Sequence, residues 1–288
     1  MKSISLLSPA KLNLFLKVIN KRPDGYHNLV TLFERINLYD EITLTLNSGS
    51  RIQIFCDHPD VPVGAKNFVS QVAWLLKEKF AVAQGVSIHI KKKIPVAAGL
   101  GGGSSNAAAV LLGLNKLWQL SLNHQELVNF GKRIGSDVPF FLCDCSWAIG
   151  TQRGDAIKKI FLPTKLWHIL VVPRIKVYSR EVFTRLRLPP KMQLTKKMTD
   201  VNMLPALRRN DLSYVGKLLS NDLESTVTQL HPNIIKLKNK LRSLNTLGEC
   251  LSGSGPAVFG LTDSQRHAEA LKSHLAKTFK QVFAVRTV

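Results

Sequence analysis

The sequence predicts a mixed α/β protein with room for one large domain or two ordinary ones. Residues 86–91 alternate apolar and polar side chains, which is typical of a half-buried strand. Residues 106–118 instead carry apolar side chains at helical spacing, with Val110, Leu114 and Leu117 on one face. The chain has 288 residues, and domains of roughly 150 residues are usual. Strand and helix therefore follow one another in a chain long enough for a substantial core.

A glycine-rich loop separates that strand from that helix. The stretch PVAAGLGGGSSNAAA, residues 95–109, has four glycines among positions 99–103. Glycine adopts backbone conformations closed to other residues and lets a ligand approach the peptide groups closely. Ser104, Ser105 and Asn106 are residue types that begin helices, so we expect the helix to start there. Free N–H groups and the positive end of the helix dipole would converge at this loop, which predicts a phosphate or anion site.

Two familiar phosphate-binding motifs do not fit this loop. The Walker A pattern requires a lysine directly after the glycines, and none follows them. The dinucleotide pattern G-x-G-x-x-G fails because, counted from Gly99, its sixth position is Ser104. A flexible glycine hinge is the alternative, and the strand and helix on either side argue against it.

The composition is that of a soluble globular protein. Apolar residues make up 45% of the chain, but no apolar run reaches the roughly 18 residues of a membrane span. The first 18 residues resemble a signal peptide only weakly, and a strand explains them better. The four cysteines form no zinc-binding pattern, so we expect reduced thiols in a cytoplasmic protein without a membrane partner.

The net charge of +21 predicts attraction to polyanions such as nucleotides, nucleic acid or acidic membrane surfaces. The basic residues are spread along the chain, and only residues 91–93 are three lysines in a row. No RNA-binding signature or aromatic-interleaved basic stripe accompanies them, so no specific nucleic acid is expected. A nucleic-acid-binding protein nevertheless stays open as a second class of function.

Two stretches near the N-terminus offer polar side chains in defined settings. In KLNLFLKVI, strand alternation places Lys11 and Asn13 on one face, about 7 Å apart. In RPDGYHNL, residues 23–25 form a strong turn signal that presents Tyr26 and His27 side by side. An aromatic ring beside an imidazole suits recognition of a flat heterocycle, although such pairs more often serve ordinary packing.

A third candidate is the carboxylate in GKRIGSDVPFF. A helix is predicted to begin near Asn123, which has capping-box spacing to Glu126, and to be broken by Gly131 and Gly135. Asp137 then precedes an apolar run, where an unpaired carboxylate would be costly to bury. The alternative interpretation is that Asp137 only caps a helix.

Taken in chain order, three stretches resemble the motifs of the GHMP kinases, named for galacto-, homoserine, mevalonate and phosphomevalonate kinases. They are SPAKLNLFL, the loop PVAAGLGGGSSNAA that holds ATP phosphates in that family, and LSGSGPAVFG near the C-terminus. The resemblance implies an α/β (α+β) two-domain fold with the active site in the cleft between the domains. A ribosomal-protein-like, ATP-binding N-terminal domain would span residues 1–160, and a ferredoxin-like, substrate-side C-terminal domain would span residues 161–288.

Two further stretches, RPDGYHNL and GSDVPFF, resemble one branch of that family. Its members phosphorylate the 2-hydroxyl of 4-(cytidine 5′-diphospho)-2-C-methyl-D-erythritol (CDP-methylerythritol) in the non-mevalonate route to isoprenoid precursors. The resemblance implies ATP and Mg²⁺ as cofactors, a small-molecule substrate and a monomer or homodimer. A GHMP kinase for a sugar, homoserine or mevalonate is the nearest alternative, and the Tyr26–His27 turn argues against it.

Carried over by position, the resemblance also assigns site residues. Asp137 would be the general base and Lys11 its catalytic partner. The ATP phosphates would be held by Pro95, Val96, Ala97, Ala98, Gly99, Leu100, Gly101, Gly102, Gly103, Ser104 and Ser105. The cytidine substrate would contact Asn13, Tyr26, His27, Ser179 and Phe183. Tyr26 and Phe183 would stack on the cytosine from two sides. Ser179 and Phe183 come from a looser match, RIKVYSREVF, and no metal ligand is assigned.

Overall fold

The computed structural model describes residues 2–188 and 203–288 and contains two compact units, each built from separate parts of the chain. Unit 1 contains the chain up to Ala10 together with Leu38–Val96 and Gly101–Asp144. Unit 2 contains Lys11–Asn37, Ala97–Leu100 and the chain from Cys145 onward. The domain boundary predicted at residue 160 stays a prediction.

Two long strands, β1 (Ser3–Lys21) and β2 (His27–Leu46), each contribute residues to both units. The predicted turn at residues 23–25 connects them and is closed by Gly25, which has a φ of +83°. The other strands are shorter. They are β3 (Ile52–Cys56), β4 (Val86–Lys91), β5 (Trp147–Thr151), β6 (Ala156–Ile160), β7 (Trp167–Val171), β8 (Ser220–Asn221), β9 (Gly248–Leu251), β10 (Val258–Thr262) and β11 (Val282–Arg286).

The helices of the described residues fall into two groups. Unit 1 has α1 (Phe68–Lys79), α2 (Gly102–Leu117), α3 (His124–Ile134) and α4 (Val138–Leu142). Unit 2 has α5 (Ser179–Arg185), α6 (Met203–Arg208), α7 (Leu212–Leu218), α8 (Glu224–Leu230), α9 (Asn233–Ser243) and α10 (Gln265–Leu275). In these ranges of the chain, no helix is both long enough and apolar enough to cross a membrane.

Unit 1 packs its helices on a strand layer. Strand β3 pairs in parallel with β4, and β4 pairs antiparallel with residues 41–46 of β2. The predicted strand at residues 86–91 is confirmed as β4, where Val86 and Ile88 are fully buried and His89 is exposed. Helix α2 packs against both α1 and α4. The strand–loop–helix order predicted for this region is therefore correct.

The start of α2 differs from the prediction. The helix begins at Gly102, and Gly101 occupies the N-cap in the left-handed region at φ +71°, with no side-chain cap. Ser105 and Asn106 are buried inside the helix instead of capping it. Their polar groups bond to side chains distant in sequence, a use that local capping preferences do not reveal.

Helix α3 confirms one local prediction and corrects another. The capping box is formed, because Asn123 Oδ1 accepts the N–H of Glu126 (3.0 Å) and Glu126 Oε2 accepts the N–H of Asn123 (2.8 Å). Gly135 ends the helix, whereas the prediction that Gly131 breaks it is wrong. A Cβ at Gly131 would lie 2.9 Å from Val138 Cγ1, so this glycine allows α4 to approach α3 closely.

Unit 2 contains two strand layers. In the first, residues 31–34 of β2 pair antiparallel with β5, β5 pairs with β6, and β1 pairs in parallel with β8. In the second, the order is β11–β7–β10–β9 with every neighbour antiparallel. In chain order the four strands are β7, β9, β10 and β11, so their order across the sheet is 4-1-3-2. Helices follow the first and the third of them. This is the ferredoxin-like βαββαβ arrangement that the resemblance implied.

Candidate active site

Lys11 and Asn13 lie side by side on β1 and are almost completely buried, at 3% and 2% exposure. The ammonium group of Lys11 donates a hydrogen bond to Asn13 Oδ1 and lies 5.6 Å from the centre of the Phe33 ring. Asn13 Nδ2 donates to Thr31 Oγ1 (2.7 Å), which in turn donates to the carbonyl of Phe15 (2.7 Å). This chain of donors fixes the orientation of the Asn13 amide and, through it, the position of the lysine head.

The glycine-rich segment 97–100 is anchored to this part of β1. The backbone N–H of Lys11 donates to the carbonyl of Leu100 at 3.0 Å. On the other side, Ser252 Oγ donates to the carbonyl of Gly99, also at 3.0 Å. A segment with few side chains is thus held by hydrogen bonds to its backbone carbonyls.

The turn at residues 253–256 completes this group of residues in unit 2. Gly253 has a φ of +55°, and a Cβ there would lie 3.3 Å from Lys11 Nζ and 3.4 Å from Asn13 Oδ1. The same Cβ would lie 3.2 Å from the carbonyl oxygen of Gly99. Three stretches that are far apart in sequence therefore meet around the ammonium group of Lys11.

The backbone of the glycine-rich loop makes repeated use of the left-handed region. Ala97, Gly99 and Gly101 have φ values of +54°, +77° and +71°. Ala97 is the only one of the three with a side chain, and a left-handed conformation costs such a residue about 1 kcal/mol or more. The loop then runs directly into α2, whose first N–H groups have no acceptor within the helix. Such groups can donate to phosphate oxygens.

Unit 1 contains a buried polar network at the base of α2. Asp40 is fully buried and forms an ion pair with Lys92, whose side chain is 5% exposed. Asn106 Nδ2 donates to Asp40 Oδ2 (2.8 Å) and lies 2.9 Å from Ser8 Oγ. Ser8 Oγ donates to Ser105 Oγ at 2.7 Å. The network ties β1 and β2 to the first turns of α2.

Asp40 also holds the chain that leads into the glycine-rich loop. Its Oδ1 accepts the backbone N–H groups of Lys93 (2.8 Å) and Ile94 (2.9 Å). Sequence reasoning missed this carboxylate, because nothing around Asp40 marks it. The sequence analysis noted the three lysines at residues 91–93, but it did not predict that the Lys92 side chain is buried in an ion pair.

Asp137 occupies the N-cap position of α4 and is half-buried. Its side chain makes no capping hydrogen bond to that helix, so capping does not explain this carboxylate. Gly135 precedes it, and a Cβ there would lie 3.6 Å from Ser104 Oγ, in the first turn of α2. The segment that carries Asp137 therefore packs close to the start of α2.

Tyr26 and His27 are neighbours in sequence with different surroundings. Tyr26 is 57% exposed, and the guanidinium of Arg153 lies over its ring at 5.1 Å from the centre. His27 is 8% exposed and stacks on Phe183, with 5.2 Å between ring centres. Burial lowers the pKa of His27, and the positive charge of Lys21 lowers it further. Phe183, which the resemblance assigned to the cytosine, is thus already in contact with His27.

Ser179, at the start of α5, is joined to the third motif. Its Oγ lies 2.6 Å from Ser254 Oγ, within the turn at residues 253–256. Both serines, the Lys11 group and the His27–Phe183 pair belong to unit 2. Among residues 2–188 and 203–288, no group of three or more His, Cys, Asp or Glu side chains forms a metal cage.

Both family models that match the chain describe the same class of protein. Residues 67–144 match the N-terminal domain of the GHMP kinases, and residues 203–281 match their C-terminal domain. These matches, the ferredoxin-like sheet and the meeting of the three motifs define a GHMP kinase.

Curated relatives identify the branch of the GHMP kinases to which the chain belongs. A protein of Shouchella clausii (strain KSM-K16) named 4-diphosphocytidyl-2-C-methyl-D-erythritol kinase is 39% identical over 99% of this chain and 94% of its own length. A protein of Bacillus velezensis (strain DSM 23117 / BGSC 10A6 / LMG 26770 / FZB42) with the same name is 41% identical over 98% of this chain and 96% of its own. The chain belongs to the family of 4-diphosphocytidyl-2-C-methyl-D-erythritol kinases.

One solved structure agrees with this assignment, and a second agrees in fold. A crystal structure of 4-(cytidine 5′-diphospho)-2C-methyl-D-erythritol kinase superimposes with a TM-score of 0.82 and 30% identity, covering 99% of this chain and 100% of the other. Homoserine kinase from Cytophaga hutchinsonii superimposes with a TM-score of 0.71 and 22% identity, covering 99% of this chain and 94% of the other. The second likeness is one of fold alone.

Proposed function

We propose that this protein transfers the γ-phosphoryl group of ATP to the 2-hydroxyl of CDP-methylerythritol, forming the 2-phosphate and ADP. The observation that carries the proposal is the meeting of Lys11, Asn13, Gly99 and Gly253 within unit 2. Family membership over nearly the whole chain supports the choice of substrate. The reaction belongs to the non-mevalonate route to isoprenoid precursors, and we place it in the cytoplasm.

The glycine-rich loop, residues 95–105, has the role of holding the triphosphate. Its left-handed residues turn the chain sharply, and the first N–H groups of α2 are available as donors. The positive end of the helix dipole adds to the attraction for negative phosphate oxygens. Donors fixed before the reaction starts stabilise the charge that develops on a transferring phosphoryl group without reorganising.

Lys11 and Asp137 have the chemical roles. In the reaction, Asp137 accepts the proton of the 2-hydroxyl as its oxygen forms a bond to the γ-phosphorus, and the bond to ADP breaks. Lys11, fixed by Asn13, supplies a positive charge for the phosphoryl group during transfer. Phosphoryl transfer depends mainly on positioning and charge neutralisation, and the buried donor chain from Lys11 to Thr31 provides the positioning.

Magnesium fits this site as part of the nucleotide complex. The described residues form no all-protein metal cage, and Mg²⁺ typically needs only one or two protein ligands beside substrate phosphates and water. An oxygen donor in unit 1 that would serve is the Ser104 hydroxyl, in the first turn of α2. When bound, the ion would neutralise phosphate charge and orient the transferring group.

The cytidine end of the substrate has an exposed aromatic partner in Tyr26. The residue is 57% exposed, whereas His27 and Phe183 are stacked on one another. We propose that the base stacks on Tyr26 and meets the edge of the His27–Phe183 pair. Asn13 and Ser179 are proposed as further substrate contacts.

The first experiment measures ADP release from Mg-ATP with and without CDP-methylerythritol. We expect substrate-dependent release, reduced roughly 10²–10⁴-fold in kcat by Asp137→Asn, which is the range for loss of a general base. Asp144→Asn is the matched control, because it removes the same charge at an exposed carboxylate seven residues away. Full activity of Asp137→Asn would show that the general base lies elsewhere.

A second experiment tests the choice of substrate. Tyr26→Ala should raise the KM for CDP-methylerythritol about tenfold or more and leave the KM for ATP unchanged, since a stacked base contributes about 1–3 kcal/mol. Tyr214→Ala, at an exposed tyrosine on α7, is the control. CDP should compete with the substrate and mevalonate should not. Competition by mevalonate alone would favour a different GHMP kinase activity.

A further inference from the structure

An arginine and an aspartate two residues apart occur in two turns of unit 2. Arg153 Nε and Nη2 lie 3.1 and 2.6 Å from Asp155 Oδ2, in the turn between β5 and β6. Arg22 Nε lies 3.2 and 3.0 Å from the two carboxylate oxygens of Asp24, in the turn between β1 and β2. A guanidinium held in this way by a carboxylate has a fixed plane and direction.

The two arginines differ in what else they contact. Arg22 Nη1 donates to Asn28 Oδ1 at 3.0 Å. The guanidinium of Arg153 instead lies over the ring of Tyr26, 5.1 Å from its centre. The anchoring carboxylates differ as well, since the Asp155 side chain is 6% exposed and that of Asp24 is 44% exposed. Arg153 is thus paired with the more deeply buried carboxylate, and it is the arginine that lies over Tyr26.

This contact matters because Tyr26 is otherwise an exposed side chain on a turn. A tyrosine residue that is 57% exposed would have side-chain rotational freedom, which is lost when a base stacks on its ring. A cation over one face holds the ring through the cation–π attraction and leaves the remaining surface accessible. Fixing a binding group before the ligand arrives lowers the cost of binding.

We propose that Arg153 is a positioning residue for the cytidine-bearing substrate, acting by holding the Tyr26 ring in the orientation that accepts the base. This inference rests on the function proposed above and adds a specificity determinant to it. Asp155 anchors the guanidinium, and Arg153 fixes the ring. Arg153 needs no direct contact with the substrate for this role.

The test compares charge-matched variants in the full-length protein. We expect Arg153→Gln to raise the Kd for CDP and the KM for CDP-methylerythritol about 3- to 10-fold, with the KM for ATP and kcat unchanged. Lys158→Gln removes the same charge at an exposed lysine on β6, outside the turn that carries Tyr26, and should change these constants less than twofold. Arg153→Lys keeps a cation for Asp155 but loses the planar fork, so a weaker effect of the same kind is expected.

A double-mutant cycle separates a positioning role from a general structural one. In the Tyr26→Ala background, Arg153→Gln should have no further effect on CDP binding, because the group that it positions is gone. Additive losses would overturn the proposal, as would equal losses in Lys158→Gln, which would indicate charge attraction. Melting temperatures of all variants identify any that fail to fold. If Arg153→Gln fails to fold, the same double-mutant cycle is measured with Arg153→Lys.

The proposed function and this inference fail in distinguishable ways. If the wild-type protein binds CDP but releases no ADP with the cytidine substrate, the proposed reaction is wrong, while the CDP cycle still decides the role of Arg153. If Asp137→Asn abolishes turnover and the Arg153 variants bind CDP like the wild type, the reaction stands and the positioning role is overturned.

Discussion

Gly99 and Gly103 belong to the same glycine-rich stretch, yet the packing of the protein requires glycine only at position 99. Gly99 has a φ of +77°, and a Cβ there would lie 2.1 Å from the carbonyl oxygen of Ser252. Gly103 has ordinary helical geometry in α2, and the nearest atom to its Cβ would be in Phe68 at 3.8 Å, a normal contact. The chain itself requires glycine at 99, whereas the glycine at 103 leaves space that a ligand can use.

The same distinction separates Tyr26 from His27. His27 is enclosed by its stack on Phe183, whereas Tyr26 exposes more than half of its surface. Both residues stand in one short motif, and the resemblance assigned both to the substrate. The two residues of this motif thus differ in how much of their surface is exposed.

The largest effect is expected for Gly99→Ala, which tests whether internal packing requires glycine at this position. The added methyl group must adopt a left-handed conformation and displace the Ser252 carbonyl, so the free energy of unfolding should fall by about 2–4 kcal/mol. Gly25→Ala is the matched control, because Gly25 has a φ of +83° but nothing within 4 Å of its Cβ. It should cost about 1 kcal/mol.

Thermal or urea unfolding of the two variants measures the difference. Equal losses for Gly99→Ala and Gly25→Ala would mean that only the positive φ matters and that the close packing on Ser252 relaxes at no cost.

A smaller effect of opposite sign is expected for Gly103→Ala. Alanine is the better helix former, so the free energy of unfolding should rise by about 0.5–1 kcal/mol. The new methyl group would stand beside the first N–H groups of α2, and we expect the KM for ATP to rise roughly tenfold, equivalent to 1.4 kcal/mol. The KM for the cytidine substrate is the internal control. A more stable variant with an unchanged KM for ATP would show that no ligand needs this glycine.

The sequence predicted those parts of the fold that depend on local signals. The β4 strand follows from alternation of residues 86–91, and the α3 start follows from the Asn123–Glu126 box. The start of α2 was wrong, because Ser105 and Asn106 are used by a buried network and not by the helix end. Gly131 was wrong for a similar reason, since its role is a contact between helices.

For the candidate site, residue types were easier to predict than their environment. Alternation correctly put Lys11 and Asn13 on one strand face, but only the structure shows that this face is buried. The Asp40–Lys92 ion pair joins residues 52 positions apart, and no spacing rule connects them. The contact of Arg153 with Tyr26 is equally non-local. The individual roles at the site stay predictions.

The smallest effect concerns the pH dependence of stability and involves His27, the buried residue of the Tyr26–His27 pair. Because burial and the charge of Lys21 lower its pKa below the ordinary 6.5, the unfolded chain binds a proton at a higher pH than the folded protein does. The contribution of His27 to the free energy of unfolding is therefore complete above about pH 6.5 and declines as the pH falls below it. Substitution of His27 should remove this part of the pH dependence.

Urea unfolding at pH 7.5 and 5.5 checks the sign with His27→Gln, and with His124→Gln as a control at an exposed histidine. Wild type and His124→Gln should lose more stability between the two pH values than His27→Gln does. Identical losses in all three proteins would mean that the imidazole of His27 is hydrated despite its stack on Phe183. A hydrated imidazole would place His27 beside Tyr26 among the residues that a ligand can reach, in line with the contact proposed between the cytidine base and the His27–Phe183 pair.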